Sequence, residues 1–159
     1  CRPDIGTPGR AFRRRASGVS AGPVTLHASC VALEGRAALI MGPSGSGKTA
    51  LALDLMSRGA RLVADDRTKI ALRDGHLVAT CPPQIAGLIE ARGVGLLRAE
   101  PLPEAVLALV VDLSMTEYER LPPFREFTLL GHPLALVHRV ESGHFSAALM
   151  QYLRGGRNA

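Results

Sequence analysis

The octapeptide Gly42-Pro43-Ser44-Gly45-Ser46-Gly47-Lys48-Thr49 satisfies G-x-x-x-x-G-K-[ST] at every position. Chemistry explains each residue type. Glycines let successive backbone N–H groups curl around phosphate oxygens, and a helix N-terminus behind the loop adds partial positive charge. Lys48 reaches the outer phosphates, and the Thr49 hydroxyl can ligate a cation. The plainer reading is a flexible Gly/Ser surface loop. It leaves unexplained why Lys48, one of only two lysines among 19 basic residues, stands where an ammonium is required. The pattern therefore points to ATP with Mg²⁺.

Phosphoryl transfer also needs a carboxylate near the metal and a group to handle the nucleophile. Asp65-Asp66, directly after the apolar triplet Leu62-Val63-Ala64, is the best candidate pair. Neighbouring strand residues face opposite sides. One aspartate can thus address metal and phosphate while the other makes a structural contact, for example with Arg67. A strand-end turn capped by Asp is the structural alternative.

The elements that must position these groups are legible in outline. Val24 to Val31 partly alternates, Glu34-Gly35-Arg36 reads as a turn, and Ala37 to Met41 is a short apolar run: a hairpin feeding a buried strand. From Lys48 to Arg58, Leu51, Leu55 and Met56 recur at helical spacing, and Gly59 is placed to end that helix. A second hairpin is expected over Lys69–Leu72 and Leu77–Ala79 around Asp74-Gly75. Ile85 to Glu90 reads as a helical turn, Arg92 to Gly95 as a second glycine-rich passage, and Val106 to Leu113 as a core strand. Glu117 to Phe127 reads as an exposed loop. A final amphipathic helix is marked by Phe145, Ala148, Leu149, Tyr152 and Leu153, with Ser142 as its N-cap. Strands alternating with helices around a strand-to-helix phosphate loop predict an α/β domain with a central sheet.

Composition bounds the remainder. With 159 residues, 47% hydrophobic and 21% charged, the chain has material for one core. Of the net charge of +5, residues 1–22 supply +4 through Arg2, Arg10, Arg13, Arg14 and Arg15 against Asp4. That stretch has no core-forming pattern and is expected to be a disordered basic lead-in, with the domain proper over 23–159. The rest is nearly neutral, which argues against a nucleic-acid partner. No apolar run approaches the ~20 residues that span a bilayer, and no secretory signal follows the arginines, so a soluble cytoplasmic protein without a membrane partner is expected. Cys1, Cys30 and Cys81 are odd in number and widely spaced, matching neither a disulfide framework nor a zinc site.

Three blocks, in order, resemble a known family. The phosphate loop is followed by Arg58-Gly59-Ala60-Arg61-Leu62-Val63-Ala64-Asp65-Asp66-Arg67, similar to R-G-H-x-L-[IV]-A-D-D-R. Glu90-Ala91-Arg92-Gly93-Val94-Gly95-Leu96-Leu97 is similar to E-[IL]-R-G-[LI]-G-I-[IL]. Both are segments of the catalytic domain of HPr kinase/phosphorylase, and the chain looks like a short form without the N-terminal domain of longer members. The resemblance implies a phosphoenolpyruvate-carboxykinase-like P-loop fold with a mixed sheet, a homohexamer, and a protein-serine kinase acting on the phosphocarrier HPr. It also implies a reverse step, in which inorganic phosphate attacks phosphoserine.

The same resemblance implies residue roles. His27 falls at the family's active-site histidine, although Ala28 follows where Gly is common. Lys48 and Thr49 match the loop lysine and the metal-ligating hydroxyl. Asp66 matches the carboxylate that takes the serine proton, Glu90 a second Mg²⁺ ligand, and Arg120, in Tyr118-Glu119-Arg120-Leu121, an active-site arginine. The likeness weakens beyond Gly131: Leu130 to Leu136 replaces a basic P-V-x-x-G-[RK]-N type segment associated with dephosphorylation, so the kinase direction is favoured. Two rival functions stay open, a P-loop small-molecule kinase and a non-catalytic nucleotide-binding regulatory module.

Overall fold

The computed structural model describes residues 22–159; the expected lead-in, apart from Gly22, lies outside them. A sheet forms from β1 (Val24–Leu26), β2 (Ala28–Leu33), β3 (Arg36–Met41), β4 (Arg61–Ala64), β5 (Thr68–Arg73), β6 (His76–Thr80), β9 (Glu104–Thr116), β10 (Arg125–Leu129) and β11 (His132–Arg139). A separate two-stranded ribbon pairs β7 (Leu88–Ala91) with β8 (Gly95–Arg98). The helices are α1 (Lys48–Ser57) and α2 (Phe145–Gly155).

Strand order is β1-β5-β6-β9-β3-β2-β4, with β11 on β9 and β10 on β11. The sheet is mixed: β3 and β11 each run parallel to β9, and the other pairs are antiparallel. Three hairpins turn through two residues, Glu34-Gly35, Asp74-Gly75 and Leu130-Gly131, all six with positive φ, the geometry whose twist matches the flanking strands.

Period-two alternation sends each central strand to two cores. On one side Val31, Ala38, Ile40, Leu109 and Val111 pack against Leu55 of α1 and Leu149, Met150 and Leu153 of α2. On the other Cys30, Leu39, Val63, Ile70, Leu107 and Val110 pack together. Every residue of β2 is buried, so this strand lies wholly inside the fold. The helices are also tied by polar contact, Ser146 Oγ donating to Asp54 Oδ2.

Helix α1 ends as its glycine predicts. Ala60 N–H bonds the Leu55 carbonyl and Gly59 N–H that of Met56, with Gly59 at φ 113°, a left-handed C-terminal motif.

Three expectations need correction, and one strand was not among them. Ile85 to Glu90 is not a helical turn: a short 3-10 turn covers Pro83–Ile85, and Leu88–Ala91 is a strand, because Ile89 and Ala91 are buried at alternate positions. The loop expected to Phe127 ends at Phe124, since Arg125–Leu129 pairs with β11. The strand β11 itself was unforeseen. The N-cap of α2 is His144 rather than Ser142, whose hydroxyl instead contacts His144 Nδ1 at 2.6 Å.

Candidate active site

Two sheet corners and one loop build the site. Strands β1 and β2 are separated only by His27, and β4 and β5 only by residues 65–67. Because Leu26 is paired with Thr68 and Cys30 with Ala64, the two breaks face each other. At the second break Arg67 N–H donates to the Asp65 carbonyl at 2.7 Å across Asp66, whose φ is 70°. This three-residue turn holds Asp66 in a left-handed conformation that Asp tolerates better than most residues, and such strain concentrates at functional sites.

The turn sends the two aspartates to different surroundings. Asp65 is buried: Oδ1 accepts from Ser29 Oγ and from Thr49 Oγ1, each at 2.9 Å, and Oδ2 accepts from Glu90 N–H at 3.2 Å. The expected side-chain contact with Arg67 is replaced by these three, since Arg67 meets Asp65 only through its backbone. Asp66 is exposed, with Oδ1 2.6 Å from His27 Nε2. An ionised carboxylate only accepts, so the imidazole donates. Oδ2 of Asp66 has no hydrogen-bond partner among the described residues.

The glycine-rich loop runs from β3 to α1. The glycine at 42 is a steric requirement: a Cβ there would lie 2.5 Å from Ser46 Oγ and 3.2 Å from Leu113 Cβ. Gly47, at φ 100°, is the N-cap of α1, and the first helical bond runs from Leu51 N–H to the Gly47 carbonyl. The N–H groups of the first turn therefore point out of the helix toward the loop, the arrangement that binds anions. Lys48 is buried, its Nζ donating to the carbonyls of Gly42 at 2.8 Å and Pro43 at 3.1 Å, which holds the ammonium at the loop.

A cleft of about 610 Å³ joins these parts. Of the residues expected from sequence, His27, Ser44, Gly45, Gly47, Lys48, Thr49, Asp66 and Glu90 line it; Gly42, Pro43 and Ser46 form the loop behind it. Arg120 lies exposed on the segment after β9 and does not line the cleft. Sequence reasoning missed Asp65 as a direct partner of Thr49, and Arg92 and Val94 as cleft walls contributed by the β7–β8 turn. The adjacent-acid pattern signalled the first; nothing short of the ribbon's fold signalled the others.

Three carboxylates, Asp65, Asp66 and Glu90, share the cleft with Lys48 and Arg92. A polyphosphate added to that set brings more negative charge than two cations offset. A hard divalent cation fits, with the Thr49 hydroxyl and carboxylate oxygens as its kind of donor. Cys81 stands near the site as a half-buried thiol whose pKa is raised by burial and by the Asp65 charge, which keeps it protonated. Among the described residues, no helix is long and apolar enough to cross a membrane.

Similarity to known proteins follows the same residues. The family description HPr Serine kinase C-terminal domain matches residues 20–119. The chain is 37% identical over 148 aligned residues to an HPr kinase/phosphorylase of Cupriavidus metallidurans, covering 85% of this chain and 46% of that protein. It is 37% identical over 115 residues to the HPr kinase/phosphorylase of Limosilactobacillus reuteri, covering 67% of this chain and 34% of the relative. The chain thus spans about half the length, or less, of the curated relatives it matches. A solved structure of the Hpr(Ser) kinase/phosphatase from Coxiella burnetii superposes with TM-score 0.68 at 22% identity, covering 82% of this chain and 88% of that one, and so shares the α/β fold with its mixed sheet. With the matched segment running through the phosphate loop, the acidic pair and the ribbon that together wall the cleft, the chain belongs to the HPr serine kinase C-terminal domain family.

Proposed function

We propose that this chain is a phosphotransferase that moves the γ-phosphoryl group of ATP to a serine of an HPr-type phosphocarrier protein. One observation carries the proposal: the His27–Asp66 pair, 2.6 Å apart, opens on the same cleft as Lys48 and Thr49 of the phosphate loop. The names of the relatives, HPr kinase/phosphorylase, support the substrate.

In this reading the loop N–H groups and Lys48 hold the β- and γ-phosphates, as in a P-loop of the phosphoenolpyruvate-carboxykinase-like type. Thr49 and Glu90, with Asp65 orienting the Thr49 hydroxyl, would hold Mg²⁺, whose contribution when bound is to offset phosphate charge. His27 donates to Asp66 Oδ1 and so turns Oδ2 toward the incoming hydroxyl. The serine oxygen bonds to the γ-phosphorus, the bond to the β–γ bridging oxygen breaks, ADP departs, and the serine proton passes to Asp66. Arg120 is the one expected site residue left without a role in this cleft.

The kinase direction dominates over phosphorolysis, because Leu130–Leu136 is committed to the turn and strand of the β10–β11 hairpin and contributes nothing to the cleft. A homohexamer, implied by the family, is the proposed assembly.

The test is incubation with labelled ATP, Mg²⁺ and HPr, followed by identification of the labelled residue. Label on an HPr serine supports the proposal. Label on a small molecule supplied in its place indicates a small-molecule kinase, and ATP binding without turnover indicates a regulatory module; either result overturns it.

A further inference from the structure

The loop is fastened from behind by a residue that lies outside the family-matched segment. Arg139, the last residue of β11, donates through Nη2 to the Ser46 carbonyl, and through Nη2 at 3.1 Å and Nε at 3.3 Å to the Leu113 carbonyl. Its aim comes from an irregularity in the sheet: His138 is paired with Asp112 but Arg139 with Thr116, so the β11–β9 register slips between them. Such bulges re-aim side chains, often beside active sites. Leu113, the second carbonyl Arg139 holds, has its Cβ only 3.2 Å from where a side chain at Gly42 would begin. One guanidinium thus spans β9, β11 and the phosphate loop.

We infer that Arg139 is a positioning residue that orients the Ser46–Gly47 peptide for phosphate binding. A trans peptide is planar, with its C=O and N–H pointing in opposite directions. Holding the Ser46 oxygen away from the cleft therefore turns the Gly47 N–H into it, and Gly47 lines the cleft whereas Ser46 does not. Gly47 has no Cβ and sits at φ 100°, so its own backbone constrains this peptide little. The Ser46 hydroxyl contributes nothing, being buried without a hydrogen-bond partner. The planar fork of arginine reaches two carbonyls at once, which an ammonium does less well.

The inference rests on the proposed binding of a nucleotide at this loop, so two readouts are needed. In the full chain, Arg139→Ala and the milder Arg139→Lys are compared with wild type by amide hydrogen exchange of residues 44–50 without nucleotide, and by calorimetric titration with ADP. Faster exchange confined to the loop, with ADP affinity reduced about tenfold or more in Arg139→Ala and by a smaller factor in Arg139→Lys, supports the inference; the factor is that of one hydrogen bond to a charged group. Unchanged loop exchange overturns it, as does faster exchange with ADP affinity within twofold of wild type. If Arg139→Ala fails to fold, Arg139→Lys alone decides by the same criteria, with a threefold affinity loss as its threshold. Failure of wild type to bind ADP would overturn the nucleotide reading and leave the fastening of the loop to be judged by the exchange data.

Discussion

His27 Nε2 lies 2.6 Å from Asp66 Oδ1, although the residues are 39 positions apart, because each occupies the break between two strand segments and the breaks face each other across the sheet. Both side chains are more than half exposed at this junction, so the pair is available to a substrate rather than locked in the core.

Asp66→Asn keeps the size of the side chain and its tolerance of the left-handed backbone but removes the base. Turnover should fall by roughly 10²–10⁴-fold, the usual worth of general-base catalysis, while ATP affinity stays within a few fold. Steady-state kinetics alongside nucleotide titration check this. Near-wild-type turnover would remove Asp66 from the proton transfer.

Lys48→Ala should abolish transfer and weaken ATP binding, since Nζ is the ammonium held at the loop by the Gly42 and Pro43 carbonyls. A phosphorylation assay at saturating ATP tests it. Retention of wild-type rates would contradict the phosphate-loop reading.

Asp65→Asn should act mainly on stability. The carboxylate receives donors at both oxygens, and an amide can accept at only one, so one donor is left facing an NH₂ group. The expected loss is about 1–3 kcal/mol, with each kcal/mol lowering Tm by roughly 2–4 °C in a chain of this size. Thermal and urea unfolding measure it. A larger turnover defect than that of Asp66→Asn, with stability intact, would reverse the two assignments.

Acid should loosen the segment after β9. The hydrogen bond from Arg125 is the main influence lowering the Glu117 pKa from its ordinary 4.5, with help from the Glu119 N–H and the charges of Arg125 and His138. A carboxyl depressed in the folded state contributes stability that is complete above its ordinary pKa and is lost as pH falls through the lower folded value. The difference in unfolding midpoint between wild type and Glu117→Gln should therefore shrink as pH falls below about 4.5. A difference that grew on acidification would refute the sign.

Local sequence determined the phosphate loop, its helix and two of the three hairpins, because the glycine-lysine pattern and the Glu34-Gly35 and Asp74-Gly75 turns act through backbone geometry within a few residues. The third hairpin turns on Leu130-Gly131, with Leu130 at φ 50°, a conformation that no leucine advertises, so β10 and β11 were illegible. The acidic pair was legible as a pair. Which aspartate meets Thr49 and which meets His27 was decided by the turn at Asp66 and by the facing strand breaks. Arg139 was silent in sequence for the same reason: its target carbonyl lies 93 positions away, and only a slip in strand register brings the guanidinium to it. Contacts whose geometry depends on pairing between distant strands have no local pattern, and the tertiary structure alone decides them.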